Sequence, residues 1–281
     1  MLVRKILNNN VITSNGEDGQ EIIIVGNGIG WKQKVGEPVD ESKIDKIFRM
    51  DTVSSTARLK QLFLQVRVES IQASSEIIEY ALEHLGKDLK KNVYITLTDH
   101  IDFALERFEK GMNFQNALFW EIQKIYYREF EIGKYALNVV EKHFGVRLPE
   151  DEAASIAMHL VSAEYDGNMA HTEAMMSIVK KAMEIVQVFM GGELDEDSLD
   201  YHRFITHLLF FAQRVVEKKS LEARGDFLAG VIRDQYPGEV RCARKICDYV
   251  QDKYEVEIGE EEVTFLAVHI VRVTAGKGEE K

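Results

Sequence analysis

Between Met1 and Val39, apolar positions come in short runs broken by turn-forming residues. Val3-Arg4-Lys5-Ile6-Leu7 stops at Asn8-Asn9-Asn10. Val11-Ile12-Thr13 stops at Asn15-Gly16-Glu17-Asp18-Gly19, and Glu21-Ile22-Ile23-Ile24-Val25 at Gly26-Asn27-Gly28-Ile29-Gly30. Runs of this length between Asn/Asp/Gly clusters read as strands joined by hairpin turns. Trp31-Lys32-Gln33-Lys34, before Gly36, is expected to add a fourth strand and complete a small antiparallel β module. So small a module is marginal alone, which points to a homodimer. Residues 40–64 read as a polar connection centred on Asp51-Thr52-Val53-Ser54-Ser55-Thr56.

From residue 65 onward the apolar spacing becomes helical. Ser74-Ser75-Glu76 opens an amphipathic run that ends near Gly86. Further helices are expected over Tyr94 to Arg107, Phe114 to Phe130 and Lys134 to Phe144, the last stopped by Gly145. Another follows Leu148-Pro149, with acids in its first turn facing the positive end of the helix dipole. It carries His159 on a face with no other ionisable group. Residues 171–281 repeat this plan, with a glycine break at Gly191-Gly192 and a turn at Pro237-Gly238. Three prolines in the whole chain suit long helices.

The repetition is visible residue by residue. Leu148-Pro149-Glu150-Asp151-Glu152 leads to His159, and Ile258-Gly259-Glu260-Glu261-Glu262 leads to His269 at the same spacing. Upstream, His100 pairs in the same way with His207, and Tyr94/Tyr201, Phe103/Phe210 and Arg107/Arg214 share their offset. A repeat on the order of a hundred residues means duplicated domains rather than a solenoid. The expected architecture is therefore multi-domain: a small antiparallel β domain (1–56), then two homologous all-α helical-bundle domains (65–170 and 171–281).

Charge sharpens the division. The chain carries a net −12. Residues 1–64 hold nine Lys/Arg against eight Asp/Glu, so the deficit lies in the helical body. An acidic body is a poor nucleic-acid surface, which leaves the N-terminal module as the candidate. Nothing is apolar over a long enough stretch to span a membrane or to serve as a signal peptide, so a cytoplasmic protein without membrane insertion is expected. Cys242 and Cys247 read as reduced core residues.

Chemistry is carried by few residues. Gly26 and Gly28 form a weak G-x-G with no strand–glycine–helix context. They read as a hairpin turn, or as a turn whose backbone approaches a nucleic-acid strand while Trp31 stacks on a base. Asn8, Asn9 and Asn10 either cap a turn or hydrogen-bond phosphates and base edges. The paired histidines read as core residues, metal ligands, hydrolytic groups or phosphoryl acceptors. Zinc sites want three or four ligands, usually with close local spacing. Here His100 and His159, like His207 and His269, are far apart along the chain and lack cysteine support. Hydrolysis lacks a nucleophile elbow, and Thr206 replaces Asp99 in the second copy. Accepting a phosphoryl group on a ring nitrogen needs a nucleophilic imidazole and a docking partner. His84, His143, His171 and His202 have no counterpart in the other copy.

Asn8-Asn9-Asn10-Val11, then Gly26-Asn27-Gly28-Ile29-Gly30, then two histidine-bearing helical repeats, resemble the BglG/SacY/LicT-type bacterial transcriptional antiterminators over nearly the whole chain. The resemblance implies a non-enzymatic regulator that needs no cofactor and no metal. Its N-terminal co-antiterminator (CAT) domain would bind an RNA antiterminator hairpin as a symmetric dimer, with Lys5, Asn8, Asn10, Gly26, Asn27, Gly28 and Trp31 as the RNA-binding set. Two phosphotransferase-system regulation domains would follow. His100 and His159 would be phosphorylated by a sugar-permease EII component, switching the protein off, and His207 and His269 by the phosphocarrier HPr, switching it on. Asp99 would support His100. Asn27 stands where many members carry a basic residue, and Trp31 where Phe is common. The rival reading is a histidine-dependent metal-binding or hydrolytic helical protein. A DNA-binding activator with the same regulation domains would need a helix-turn-helix, and the N-terminus reads as strands.

Overall fold

The computed structural model describes residues 1–112, 114–191, 194–196, 198–219 and 226–275. The chain forms two compact units, Met1–Asn168 and Met169–Lys281.

The first unit opens with four strands, β1 (Lys5–Ile6), β2 (Val11–Asn15), β3 (Glu21–Val25) and β4 (Lys46–Phe48), in sheet order β1-β2-β3-β4 with every pair antiparallel. Successive side chains point to opposite faces of a strand, so Ile22-Ile23-Ile24 must bury both. Ile12, Ile22 and Ile24 pack with Val3, Ile29 and Val39. Val11, Ile23, Val25 and Phe48 pack on the other face with Met50, Leu59, Leu62, Phe63 and Ile71.

Two expectations are corrected here. Trp31–Lys34 is not a strand. The backbone there turns repeatedly, with Lys32 at φ 59° and turn bonds from Trp31 N to Gly28 O and Gln33 N to Gly30 O. The fourth strand comes later, where Lys46-Ile47-Phe48 pairs with β3 at Ile24↔Ile47 and Ile23↔Phe48. Nor is 51–56 a linker centre. Thr52 caps helix α1 (Val53–Phe63) by accepting from Ser55 N at 3.0 Å. Thr56, Leu59, Leu62 and Phe63 give α1 a buried stripe, and Asn8 Nδ2 donates to Phe63 O at 3.1 Å.

The rest of the first unit is helical: α2 (Val68–Leu85), α3 (Val93–Glu109), α4 (Phe119–Ile125), α5 (Tyr127–Phe144) and α6 (Asp151–Glu164). The boundary expected between the helices over 114–130 and 134–144 lies instead at Tyr126 (φ −116°, ψ 49°), so that α4 is short and α5 runs unbroken from Tyr127 to Phe144. α2 and α5 end on Gly86 and Gly145, both in the left-handed region that favours glycine at a helix C-terminus. Gly133 sits against Ala153 O with no room for a Cβ, so α5 and α6 touch backbone to backbone there.

The second unit holds α7 (Met169–Met190), α8 (Leu199–Val216), α9 (Asp226–Gln235), α10 (Pro237–Tyr254) and α11 (Glu260–Ala275). The turn expected at Pro237-Gly238 falls at Tyr236, between α9 and α10, and Pro237 opens α10 because proline at the first helical position loses no hydrogen bond. Gly191 follows α7 at φ 68°, as a break requires, while Gly192 lies outside the described residues. Cys242 and Cys247 are buried free thiols, pushed by burial up to about 11 and about 12. No helix among the described residues is long and apolar enough to cross a membrane.

Candidate functional site

Residues seven apart on a helix lie on one face, two turns from each other. In the first unit α3 presents His100 and Arg107 this way, and α6 presents Glu152 and His159. The two faces meet with the helices running in opposite directions. His100 and His159 come together with ring centroids 4.7 Å apart, and Arg107 Nη2 donates to Glu152 Oε1. The face that carries His159 therefore also carries an ionisable group, contrary to the sequence expectation. Glu152 goes unnoticed as a site residue because it stands among three successive acids.

The second unit builds the same two rungs from α8 and α11. His207 and His269 stack with centroids 3.6 Å apart at 22°. Arg214 forks onto Glu262, with Nε to Oε1 and Nη2 to Oε2 both at 2.7 Å. One detail separates the units. In the first, Glu152 Oε2 also meets His100 Nε2 at 3.1 Å. In the second, both oxygens of Glu262 are held by Arg214, and His207 lies against the rings of His269 and Phe265.

Three of these four imidazoles are pushed toward the neutral form. Burial pushes His159 well below the ordinary imidazole range, and His100 beside it adds to the effect. Burial, with His207 and Arg272, lowers His269 to about 4. His207 is lowered too, by burial and by Arg272 and Arg214. An imidazole kept neutral at pH 7 has a free lone pair and can act as a nucleophile. Burial alone would raise Glu152, but His100 and Arg107 outweigh it and hold the carboxyl below its usual range. Phe103 and Phe210, at matching places on α3 and α8, are about half exposed beside the pairs. Asp99 is exposed, and the carboxylate that meets His100 is Glu152.

The unmatched histidines lie elsewhere. His84 Nδ1 meets Tyr80 O at 2.8 Å, and His143 Nε2 meets Glu76 at 3.0 Å. A second ionic cluster joins three segments of the first unit. Lys87 reaches Glu129 Oε1 at 3.3 Å and also Glu164. Burial raises Glu164 to about 7 despite Lys87. Among the described residues, no group of three or more His, Cys, Asp or Glu is arranged to hold a metal ion.

In the β module, Lys5, Asn9, Asn27 and Trp31 are exposed, Trp31 at 58%. The other named amides serve the fold. Asn8 Oδ1 accepts from Asn10 N at 2.8 Å while its Nδ2 holds Phe63 O. Asn10 Oδ1 accepts from Gly28 N at 2.9 Å, and Gly26 N bonds Asn10 O. Gly28 takes φ 67°, and Gly26 lies against the Lys43 carbonyl with no space for a side chain. Asn8, Asn10, Gly26 and Gly28 thus form a frame that presents Lys5, Asn9, Asn27 and Trp31.

The model of the CAT RNA binding domain matches residues 1–56, and that of the PRD domain matches 75–163 and again 175–273. The chain belongs to the family of CAT–PRD transcription antiterminators. Transcription antiterminator LicT of Bacillus subtilis (strain 168) is 40% identical over 273 residues, covering 97% of this chain and 99% of LicT. The beta-glucoside operon antiterminator of Dickeya chrysanthemi is 38% identical over 273 residues, covering 97% and 96%. The crystal structure of GlcT CAT-PRDI matches with a TM-score of 0.52 at 30% identity, covering 59% of this chain and 98% of that one. In a CAT–PRD chain, each histidine pair lies inside one PRD match and the amide frame inside the CAT match.

Proposed function

We propose that this chain is an RNA-binding transcription antiterminator of a sugar-utilisation operon, switched by phosphoryl groups on His100, His159, His207 and His269. The observation that carries the reading is the repeated rung pair. Two units of one chain each bring two imidazoles into ring contact beside an arginine–carboxylate pair. Residues 1–56 bind the antiterminator hairpin as a dimer, through exposed Lys5, Asn27 and Trp31 on the frame of Asn8, Asn10, Gly26 and Gly28. Residues 65–170 and 171–281 are the two regulatory parts. The first takes phosphate from a sugar-permease EII component, and the second from HPr.

A phosphoryl group adds roughly −1.5 to −2 charges at neutral pH. Placed on one ring of a pair, next to a buried carboxylate, it breaks the balance of the rung and shifts the population between two arrangements of the regulatory part. The test is phosphorylation of the full chain by phospho-HPr and by a phosphorylated permease domain. Mass spectrometry that spares phosphohistidine should find the label on the four paired histidines. Label confined to His84, His143, His171 or His202 overturns the assignment.

A further inference from the structure

We propose that Glu152 is a positioning residue for phosphoryl transfer, holding His100 as the Nε2–H tautomer and directing the phosphoryl group to Nδ1. The inference rests on the phosphoacceptor role proposed above for His100. Glu152 is 2% exposed and touches both His100 Nε2, at 3.1 Å, and Arg107. It is ionised at neutral pH, since the Arg107 ion pair and the hydrogen bond from His100 hold the carboxyl below its usual range against burial. An ionised carboxylate only accepts hydrogen bonds. The proton in this contact therefore sits on Nε2, and the ring's free lone pair is on Nδ1.

The step balances without a further reactant. The Nδ1 lone pair of His100 attacks the phosphorus of a donor whose phosphoryl group is bonded to a protonated nitrogen. The donor's P–N bond breaks, its electron pair returns to that nitrogen, and the donor leaves neutral. His100 then carries the phosphoryl group on Nδ1 and a proton on Nε2. The resulting ring cation faces Glu152, which stabilises it as the orienting carboxylate of a catalytic triad stabilises its imidazolium. In the second unit Arg214 holds both oxygens of Glu262, so His207 has no equivalent partner in that carboxylate.

The experiment uses the full chain with 15N-labelled histidine and phosphoramidate as the P–N donor. Before phosphorylation, 15N–1H correlation should find His100 protonated on Nε2. Afterwards the phosphoryl group should be on Nδ1. In E152Q, Arg107 takes the one remaining oxygen and the amide NH2 turns to Nε2, so the tautomer reverses. Labelling of His100 should then slow by roughly 10- to 100-fold, the range that losing the orienting carboxylate costs a metal-ligating histidine, and the residual product should be the Nε2 isomer. An Nδ1–H tautomer in the wild type overturns the inference without any variant. So does an Nε2-phosphorylated wild type, or an E152Q chain with unchanged rate and isomer. An Nε2–H tautomer on a His100 that takes no phosphoryl group overturns the phosphoacceptor role itself, and the directed transfer with it.

Discussion

The rings of His207 and His269 lie nearly parallel, with centroids 3.6 Å apart. A proton on either one is a charge placed against the other in a buried setting. The pair therefore stays neutral, and the cost of charging it shows in the stability of the second unit.

His269 is ordinarily half protonated near 6.5, and the fold lowers it to about 4 through burial, His207 and Arg272. A depressed imidazole contributes its full stability above 6.5 and loses it as pH falls toward 4. Over that window the α8–α11 contact should weaken by on the order of 3 kcal/mol. Hydrogen exchange in α8 and α11 should accelerate between pH 6.5 and 4, and His269→Gln should flatten the profile.

The first unit holds a group of opposite sign. Burial raises Glu164 from 4.5 to about 7 despite Lys87. A raised carboxyl contributes stability below 4.5 and loses it as pH rises through about 7. Thermal melting of the first unit should therefore show a loss of stability between pH 4.5 and 7. Glu164→Gln should remove that dependence, and an unchanged profile would assign the titration elsewhere.

Arg214 and Glu262 are each other's counter-ions inside the second unit, with side chains 19% and 5% exposed. Arg214→Met leaves a buried carboxylate unpaired and should cost about 3–5 kcal/mol. Arg214→Met with Glu262→Leu should recover most of it, since no charge is then stranded. Denaturant midpoints of the single and double variants give the coupling directly.

The β module separates presentation from contact. Trp31→Ala should weaken RNA-hairpin binding by roughly 1–3 kcal/mol through lost stacking, without lowering the melting temperature. Asn8→Ala removes two internal hydrogen bonds and should lower the melting temperature. Gel shift and melting measured on the same preparations distinguish the two kinds of loss.

Much of the paired-histidine site was legible in the sequence. His100/His207, His159/His269 and Arg107/Arg214 recur at corresponding places in the two copies, and the PRD domain matches the chain twice. The spacing of seven from His100 to Arg107 and from Glu152 to His159 was also there to read. Which acid of Glu150, Asp151 and Glu152 turns inward depends on how α6 sits on α3, and local sequence does not say. The strand Lys46–Phe48 escaped notice because three residues in polar surroundings give too short an alternation. The roles of Asn8 and Asn10 were hidden for a different reason. An amide reads alike whether it faces a base or, as here, Gly28 N and Phe63 O.

Helix α1 closes one face of the sheet with Leu59, Leu62 and Phe63. The division between the nucleic-acid module and the regulatory helices therefore runs inside a helix, beyond the residue-56 limit of the CAT match. Relatives that traded RNA specificities by recombining at residue 56 would each receive a sheet fitted to a foreign lid. A crossover beyond Phe63 transplants sheet and lid together. Interchangeability of parts in this chain is thus governed by a packing seam, and the breakpoints that survive selection should cluster past the end of α1.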